Sequence, residues 1–355
     1  MPALSTGATV AVTGANGFIG AWVCSELLAQ GFRVRAVVRD ANDAAKYSFL
    51  LSLPCAGGGS LTLASGTLSP GGYDEAFAGV DGVVHTVAVV EVLDSTDAEN
   101  RILRPALEGT RVALESAAKA GSVRRFVVLS SVAAVHSVLG MPDSHVFTEA
   151  DWNGWSTLAS DAYGFAKAQQ ERAVWQFVSE RGAAGTFDAV AINPTVVLGP
   201  VLSKAHTKAS AVLVRECLFR NPMNAYMATF VDVRDVAAAI AAALLSPAAA
   251  GERFLLVSDA PPMSTVELGA IAQAEMPQYR IGGHARVGPW VLWLLARIGY
   301  VTPFQEAVAT RKLLLSNAKA KRVLGLAPRP LRETVRATAQ SMIDGGYVTP
   351  LAAKQ

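Results

Sequence analysis

The sequence predicts an α/β fold, a doubly wound parallel sheet with helices on both faces and a smaller C-terminal lobe. Three observations carry this. A glycine-rich turn, Thr13-Gly14-Ala15-Asn16-Gly17-Phe18-Ile19-Gly20, joins the first β-prone run to the first helical one. Strand-like and helix-like patterns then alternate as far as Asn193. After Pro194 the rhythm loosens into Pro- and Gly-rich connections.

The elements follow in order. Residues 8–12 are a short β-prone run. Residues 18–30 place Ile19, Val23 and Leu27 on one helical face, and Gly31 stops the helix. Residues 34–38 read as a second strand, 41–51 as a helical stretch and 60–63 as a third strand. Residues 73–77 suit a short helix and 82–86 a fourth strand. A long helix is expected over 99–120, kinked at Pro105, whose ring removes a backbone donor. Residues 126–130 are strongly β-prone, 162–181 helical, and 189–193 β-prone again. An Ala-rich helix at 232–245 and a seventh strand at 254–257 complete the pattern. Such alternation implies parallel strands joined by right-handed crossovers.

Composition narrows the class. Of 355 residues, 51% are hydrophobic and 17% charged, enough for a large buried core. A net charge of +2 provides no basic face, so no nucleic-acid partner is expected. Cys24, Cys55 and Cys217 are odd in number and widely spaced, which excludes a zinc-type pairing or disulfide framework and leaves reduced, mostly buried thiols. No metal site is expected. The N-terminal residues show neither the basic region nor the apolar stretch of a signal peptide, so a cytoplasmic location is expected. The most apolar late segment, residues 289–301, holds Trp290, Trp293, Leu294 and Leu295. Arg297 interrupts it and it is too short to span a bilayer, so a packed helix or pocket wall is expected and no membrane partner.

The spacing Gly14, Gly17, Gly20, between a strand and a helix, is what dinucleotide binding requires. Glycine permits a tight turn and close approach of the backbone to a pyrophosphate. The following helix offers free N–H groups and the positive end of its dipole. A Rossmann-type sheet is therefore expected, with Thr13, Gly14, Asn16, Gly17, Phe18, Ile19 and Gly20 at the cofactor. The second strand ends on Arg39, where a carboxylate would serve an unphosphorylated ribose. A guanidinium there suits a 2′-phosphate, and Lys46 adds a second cation, so NADP(H) is expected. Asp40 is the countervailing charge. On this reading residues 1–194 and 230–258 form the NADP-binding domain. Residues 195–229 and 259–355 form a substrate lobe over the carboxyl edge of the sheet.

Tyr163 and Lys167 stand four apart on a predicted helix, so both side chains share one face. A lysine charge nearby would lower the phenol's pKa and suit it to proton transfer at a carbonyl oxygen. Ser131 falls at the carboxyl end of the fifth strand, where its hydroxyl can hold that oxygen.

Taken in this order, these features resemble the extended short-chain dehydrogenase/reductase family, nearest its dihydroflavonol reductase and fungal-type aldehyde or ketone reductase branch. The likeness covers most of the chain. It includes Val83-Val84-His85, Pro105-Ala106-Leu107-Glu108-Gly109-Thr110, Asn193-Pro194-Thr195-Val196-Val197-Leu198-Gly199-Pro200 and Phe230-Val231-Asp232-Val233-Arg234-Asp235-Val236-Ala237. The resemblance implies Ser131, Tyr163 and Lys167 as the catalytic trio, Tyr163 being the acid/base. It implies Arg39 and Lys46 at the 2′-phosphate, Thr67 near the adenine, Pro194 and Val197 near the nicotinamide, and Leu68 and Val87 also at the cofactor. It also implies a homodimer through two long helices.

Three positions depart from the family pattern. Thr67 stands near a usual aspartate, Val112 where many members carry a relay asparagine, and His136 where dihydroflavonol reductases carry a pocket asparagine, which disfavours a flavonoid substrate. His136, Trp152, Phe165, Met223 and Tyr226 are expected at the substrate pocket, with Trp155, Met227, Trp290 and Trp293 as further walls. His85 is read as packing, and Asp232 and Asp235 as caps and dipole partners. The expected function is NADPH-dependent reduction of an aldehyde or ketone, reversible as alcohol oxidation, on a small-molecule substrate. A 3β-hydroxysteroid dehydrogenase-like enzyme and a non-catalytic NADP-sensing regulator are the alternatives. A sugar-nucleotide epimerase is disfavoured by Arg39 and Val112, and a cinnamoyl-CoA reductase by the residues around Tyr163.

Overall fold

Every β-prone run of the first half enters one seven-stranded parallel sheet. The strands are β1 (Thr9–Thr13), β2 (Arg33–Val38), β3 (Ser60–Ser65), β4 (Gly82–His85), β5 (Arg125–Leu129), β6 (Asp188–Pro194) and β7 (Arg253–Leu256). Their order across the sheet is β3-β2-β1-β4-β5-β6-β7. The computed structural model describes residues 3–87, 97–139, 142, 144–181, 187–208, 210–219, 226–281 and 289–349. Strand order reverses between β1 and β4, which opens a crevice at their carboxyl ends.

The sheet is buried on both faces because its strands are apolar at successive positions. Val10, Val12, Val84 and Val127 face one core, closed by α1 (Phe18–Ala29) and a later helix, Val233–Leu245. Ala11, Val83, Phe126 and Val128 face the other, closed by α2 (Arg104–Ala120) and α3 (Ala162–Glu180). The first core continues into the last helix, Leu331–Asp344, through Leu331, Val335, Ala339 and Met342. That helix also holds the chain after β6, since Thr338 and Ser341 hydroxyls accept from the N–H groups of Gly199 (2.8 Å) and Val201 (2.9 Å).

Some local expectations change. Residues 41–51 are two short turns, Ala44–Tyr47 and Ser48–Leu51, and not one helix. Before α2, Glu99–Leu103 forms a wide π-type turn, and Pro105 sits in the first turn of α2, where its missing donor breaks no helical bond. The late helix Pro289–Arg297 leaves Trp290 72% and Trp293 51% exposed, so these two side chains are not core among the described residues. Cys24 is buried but Cys55 is exposed. Among the described residues, no helix is long and apolar enough to cross a membrane.

Candidate active site

At the end of β1 the chain turns with Gly14 at φ +66°, a left-handed conformation that glycine adopts without strain. The turn is packed by backbone. A Cβ on Gly20 would lie 2.3 Å from the Gly14 carbonyl oxygen, and one on Gly14 would lie 2.9 Å from Thr86 Oγ1. Helix α1 starts with Gly17 as its cap, with no side-chain cap and no acidic residue in its first turn. Its first internal bond runs from Ala21 N–H to the Gly17 carbonyl, 2.9 Å. The N–H groups of Phe18, Ile19 and Gly20 are therefore left facing a cavity of about 860 Å³, a ready anion site.

Arg39 and Lys46 line the outer part of this cavity, both exposed, with Lys46 Nζ 5.7 Å from the centre of the Tyr47 ring. Asp40, the residue after Arg39, is exposed as well. Its carboxylate turns to the backbone and accepts the Asn42 N–H at 3.0 Å. Thr67 and Leu68 line the same side, and Val87, Pro194 and Val197 line the deeper part.

The inner end holds Ser131, Tyr163 and Lys167 together. Ser131 follows β5 in an extended conformation, and its hydroxyl accepts the Ala133 N–H at 3.2 Å, starting a short turn, Val132–Ala134. Tyr163 lies in the first turn of α3. Asp161 caps that helix through the Gly164 N–H (2.9 Å) and receives the Ser156 hydroxyl (2.7 Å). Asn153 donates to Ser156 (2.8 Å) and to the Ala133 carbonyl (2.8 Å). The start of α3 is thus pinned to the turn that follows Ser131, and the Ser131 hydroxyl hydrogen-bonds the Tyr163 phenol.

The electrostatics differ from the expected lysine effect. Burial pushes the Tyr163 phenol above its ordinary range, against the hydrogen bond from Ser131, and the Asp161 charge adds to the rise. The net shift is upward although Lys167 shares this face of the helix. Its ammonium is buried and donates to Gln170 Oε1 at 3.1 Å, and Gln170 in turn donates to Thr110 of α2 at 2.7 Å. Burial holds the Lys167 pKa down at about 8, with Glu171 working the other way. The i, i+4 spacing put both groups on one face, but the lysine's reach is directed to its own helix and α2.

Several expected residues stand elsewhere. The hydroxyl of Thr13 is 2.9 Å from His85 Nδ1 inside the sheet, and its carbonyl accepts the Thr86 hydroxyl at 2.6 Å. It braces the turn from behind and does not line the cavity. His85 is buried beside Phe126 and Tyr73, and burial drops its pKa to about 3, so it is neutral packing as expected. His136 packs against Phe147 at 5.7 Å, its buried Nδ1 without a partner among the described residues. Trp152 lies under the Arg253 guanidinium at 3.7 Å. Phe165 points off the face of α3 that carries Tyr163, two residues away. Tyr226 packs against the first core. None of these four lines the cavity, and Met223 lies outside the described residues. Trp155 is 41% exposed, and Met227 belongs to the ribbon Met227–Ala228 with Met263–Ser264. Asp232 caps Val233–Leu245 through the Arg234 N–H, and Asp235 pairs with Arg329.

Sequence reasoning missed Thr86, Ser130 and His206 as cavity walls. Thr86 follows β4 at the switch point, and the carboxyl-end rule alone would have selected it. His206 comes from a short 3-10 turn, Lys204–Lys208, with no motif that marks it. Its ring reaches back to the Asn16 carbonyl (3.1 Å) and fixes that segment against the glycine turn.

The family model described as "NAD dependent epimerase/dehydratase family" matches residues 10–256. A dihydroflavonol 4-reductase of Arabidopsis thaliana is 38% identical over 55% of this chain, which spans 50% of that relative's length. A cinnamoyl-CoA reductase of Medicago truncatula is 35% identical over 72% of this chain and 78% of that protein. Among solved structures, yeast methylglyoxal/isovaleraldehyde reductase Gre2 complexed with NADPH superposes with a TM-score of 0.78 at 27% identity, over 96% of this chain and 100% of that one.

Proposed function

Because the chain belongs to the NAD dependent epimerase/dehydratase family, as an extended short-chain dehydrogenase/reductase, we propose that it is an NADPH-dependent reductase of an aldehyde or ketone, reversible as a secondary-alcohol dehydrogenase. One observation carries the reading. A single cavity joins the uncapped N-terminus of α1 and Arg39 to Ser131, Tyr163 and Lys167.

The residues suit a phosphorylated dinucleotide. The α1 N–H groups would take the pyrophosphate, and Gly20 leaves the room that a Cβ would fill. Arg39 and Lys46 would take the 2′-phosphate, Thr67 and Leu68 the adenine side, and Val87, Pro194 and Val197 the nicotinamide side. When bound, the cofactor supplies the hydride that reduces the carbonyl carbon. Ser131 donates a hydrogen bond to the carbonyl oxygen and fixes its distance from Tyr163. Tyr163 gives that oxygen its proton. Burial keeps the phenol protonated at neutral pH, the form a reduction needs. Lys167, charged below about pH 8, offsets the phenolate left behind. In the oxidative direction the phenolate takes the proton back. The yeast neighbour, a methylglyoxal/isovaleraldehyde reductase that binds NADPH, supports this reading. A cytoplasmic location, a homodimer through α2 and α3, and a substrate seat beneath residues 195–229 and 259–355 belong to the same proposal.

The test is a panel of aldehydes and ketones with the purified protein, following loss of reduced cofactor. Turnover is expected with NADPH and much less with NADH. A protein that turns over no carbonyl or alcohol on the panel sinks the proposal.

A further inference from the structure

We propose that Glu171 is a positioning residue for this reaction, one buried carboxylate that fixes the serine pair at the end of β5 and the lysine of the trio. The inference rests on the reductase reading above and deepens it.

Glu171 lies one helical turn beyond Lys167 on α3, so Tyr163, Lys167 and Glu171 share a face at i, i+4 and i+8. It is fully buried. Its two oxygens face different ways. Oε1 meets the structural side, receiving Arg253 Nε and, at 3.4 Å, the Trp175 indole. Arg253 is held in turn by the carbonyls of Glu149 (3.0 Å) and Asp151 (2.7 Å) and by the Trp152 ring beneath it. Oε2 meets the reacting side. It receives the Ser130 hydroxyl at 2.5 Å and Asn193 Nδ2 at 2.7 Å. Asn193 also donates to the Ser131 carbonyl at 3.1 Å and precedes Pro194, a cavity wall.

A purely structural ion pair would need only the Oε1 side. The Oε2 side instead holds the chain around Ser131 through two donors, Ser130 just after β5 and Asn193 of β6. Displacing that backbone moves the Ser131 hydroxyl away from the Tyr163 phenol. The same carboxylate stands one helical turn from Lys167 and acts on its charge. The titratable and charged groups around that ammonium among the described residues are Tyr163 and Glu171 from α3, neutral His85 from β4, and Arg253 from β7 beyond Glu171. Glu171 is the anion that opposes the desolvation of Lys167.

The decisive variant is Glu171→Gln. Cofactor affinity is expected to stay near wild type, while kcat for a carbonyl substrate falls by up to about a hundredfold through misplaced Ser131. Without the anion Lys167 gives up its proton more easily. The alkaline limb of the kcat profile should then move to lower pH by about one unit. Rescue by Glu171→Asp should restore the pH limb but not kcat, because the shorter side chain keeps the charge and loses its reach. A readout without turnover is the titration of Lys167 by NMR on isotope-labelled lysine, expected near 8 in the wild type and lower in Glu171→Gln. If the single variant does not fold because Arg253 loses its partner, Glu171→Gln with Arg253→Gln removes both buried charges and is read the same way. A variant that melts earlier but keeps wild-type kcat and an unmoved Lys167 titration overturns the inference. Wild-type protein without turnover overturns the reductase reading instead, and the Lys167 titration still decides the role of Glu171.

Discussion

The two ends of the cavity are built from different material. At the glycine turn the wall is backbone: Gly14, Gly17 and Gly20 pack on one another, and free N–H groups of α1 point inward. At Ser131 and Tyr163 the wall is side chains held by other side chains, from Asp161, Ser156 and Asn153 on one side to Glu171 and Arg253 on the other. The first end needs little burial of charge. The second takes a lysine, a glutamate and an arginine out of water, at a desolvation cost that the Glu171–Arg253 ion pair and the Lys167–Gln170 hydrogen bond offset. A backbone site tolerates loss of any one side chain but not gain of a methyl group. A side-chain site behaves in the opposite way.

The comparison can be broken by three substitutions. The largest effect is expected for Tyr163→Phe, which deletes only the phenol oxygen. Turnover should fall by about a hundred- to ten-thousandfold while cofactor affinity barely changes. Steady-state kinetics beside a cofactor fluorescence titration would show this, and retained turnover would remove Tyr163 from its role. Gly20→Ala comes next. Its new Cβ would stand 2.3 Å from the Gly14 carbonyl, so the turn must move. The expected loss is about 2–3 kcal/mol of stability, together with weakened cofactor binding. Thermal melts that match the wild type would mean the turn is not the rigid backbone end described above. Arg39→Ala should have the smallest effect, since the guanidinium is exposed and screened. Loss of NADPH affinity by about 1–2 kcal/mol is expected, with NADH nearly unaffected. Equal losses for both cofactors would show that Arg39 does not read the 2′-phosphate.

The backbone end was the more legible from the sequence. Its requirements are local: glycine at fixed offsets, a strand before and a helix after, and a cation at the next strand's end. Gly14, Gly17, Gly20, Arg39 and Lys46 all line the cavity as their spacing implied. Thr13 is the exception, because its side-chain direction depends on β4, which supplies His85 from seventy-two residues away. The side-chain end was legible only as a list of proposed reacting groups. Ser131, Tyr163 and Lys167 meet as expected, but their electrostatics did not follow from helix spacing. Burial raises the Tyr163 phenol against the Ser131 hydrogen bond, and burial is a property of the packed molecule. Glu171 carried no motif. Its importance appears once β5, β6 and β7 place Ser130, Asn193 and Arg253 around it.

The sequence by itself determined the parallel sheet, the turn that admits a dinucleotide and the three polar residues, Ser131, Tyr163 and Lys167, that share the cavity. Each follows from periodicity or from residues a few positions apart, where chain geometry alone fixes who meets whom. Only the tertiary structure decided which aromatic side chains face solvent, which charges are buried and which partner each buried charge has. Those outcomes depend on contacts between segments that the chain brings together from far apart, and desolvation sets their energies.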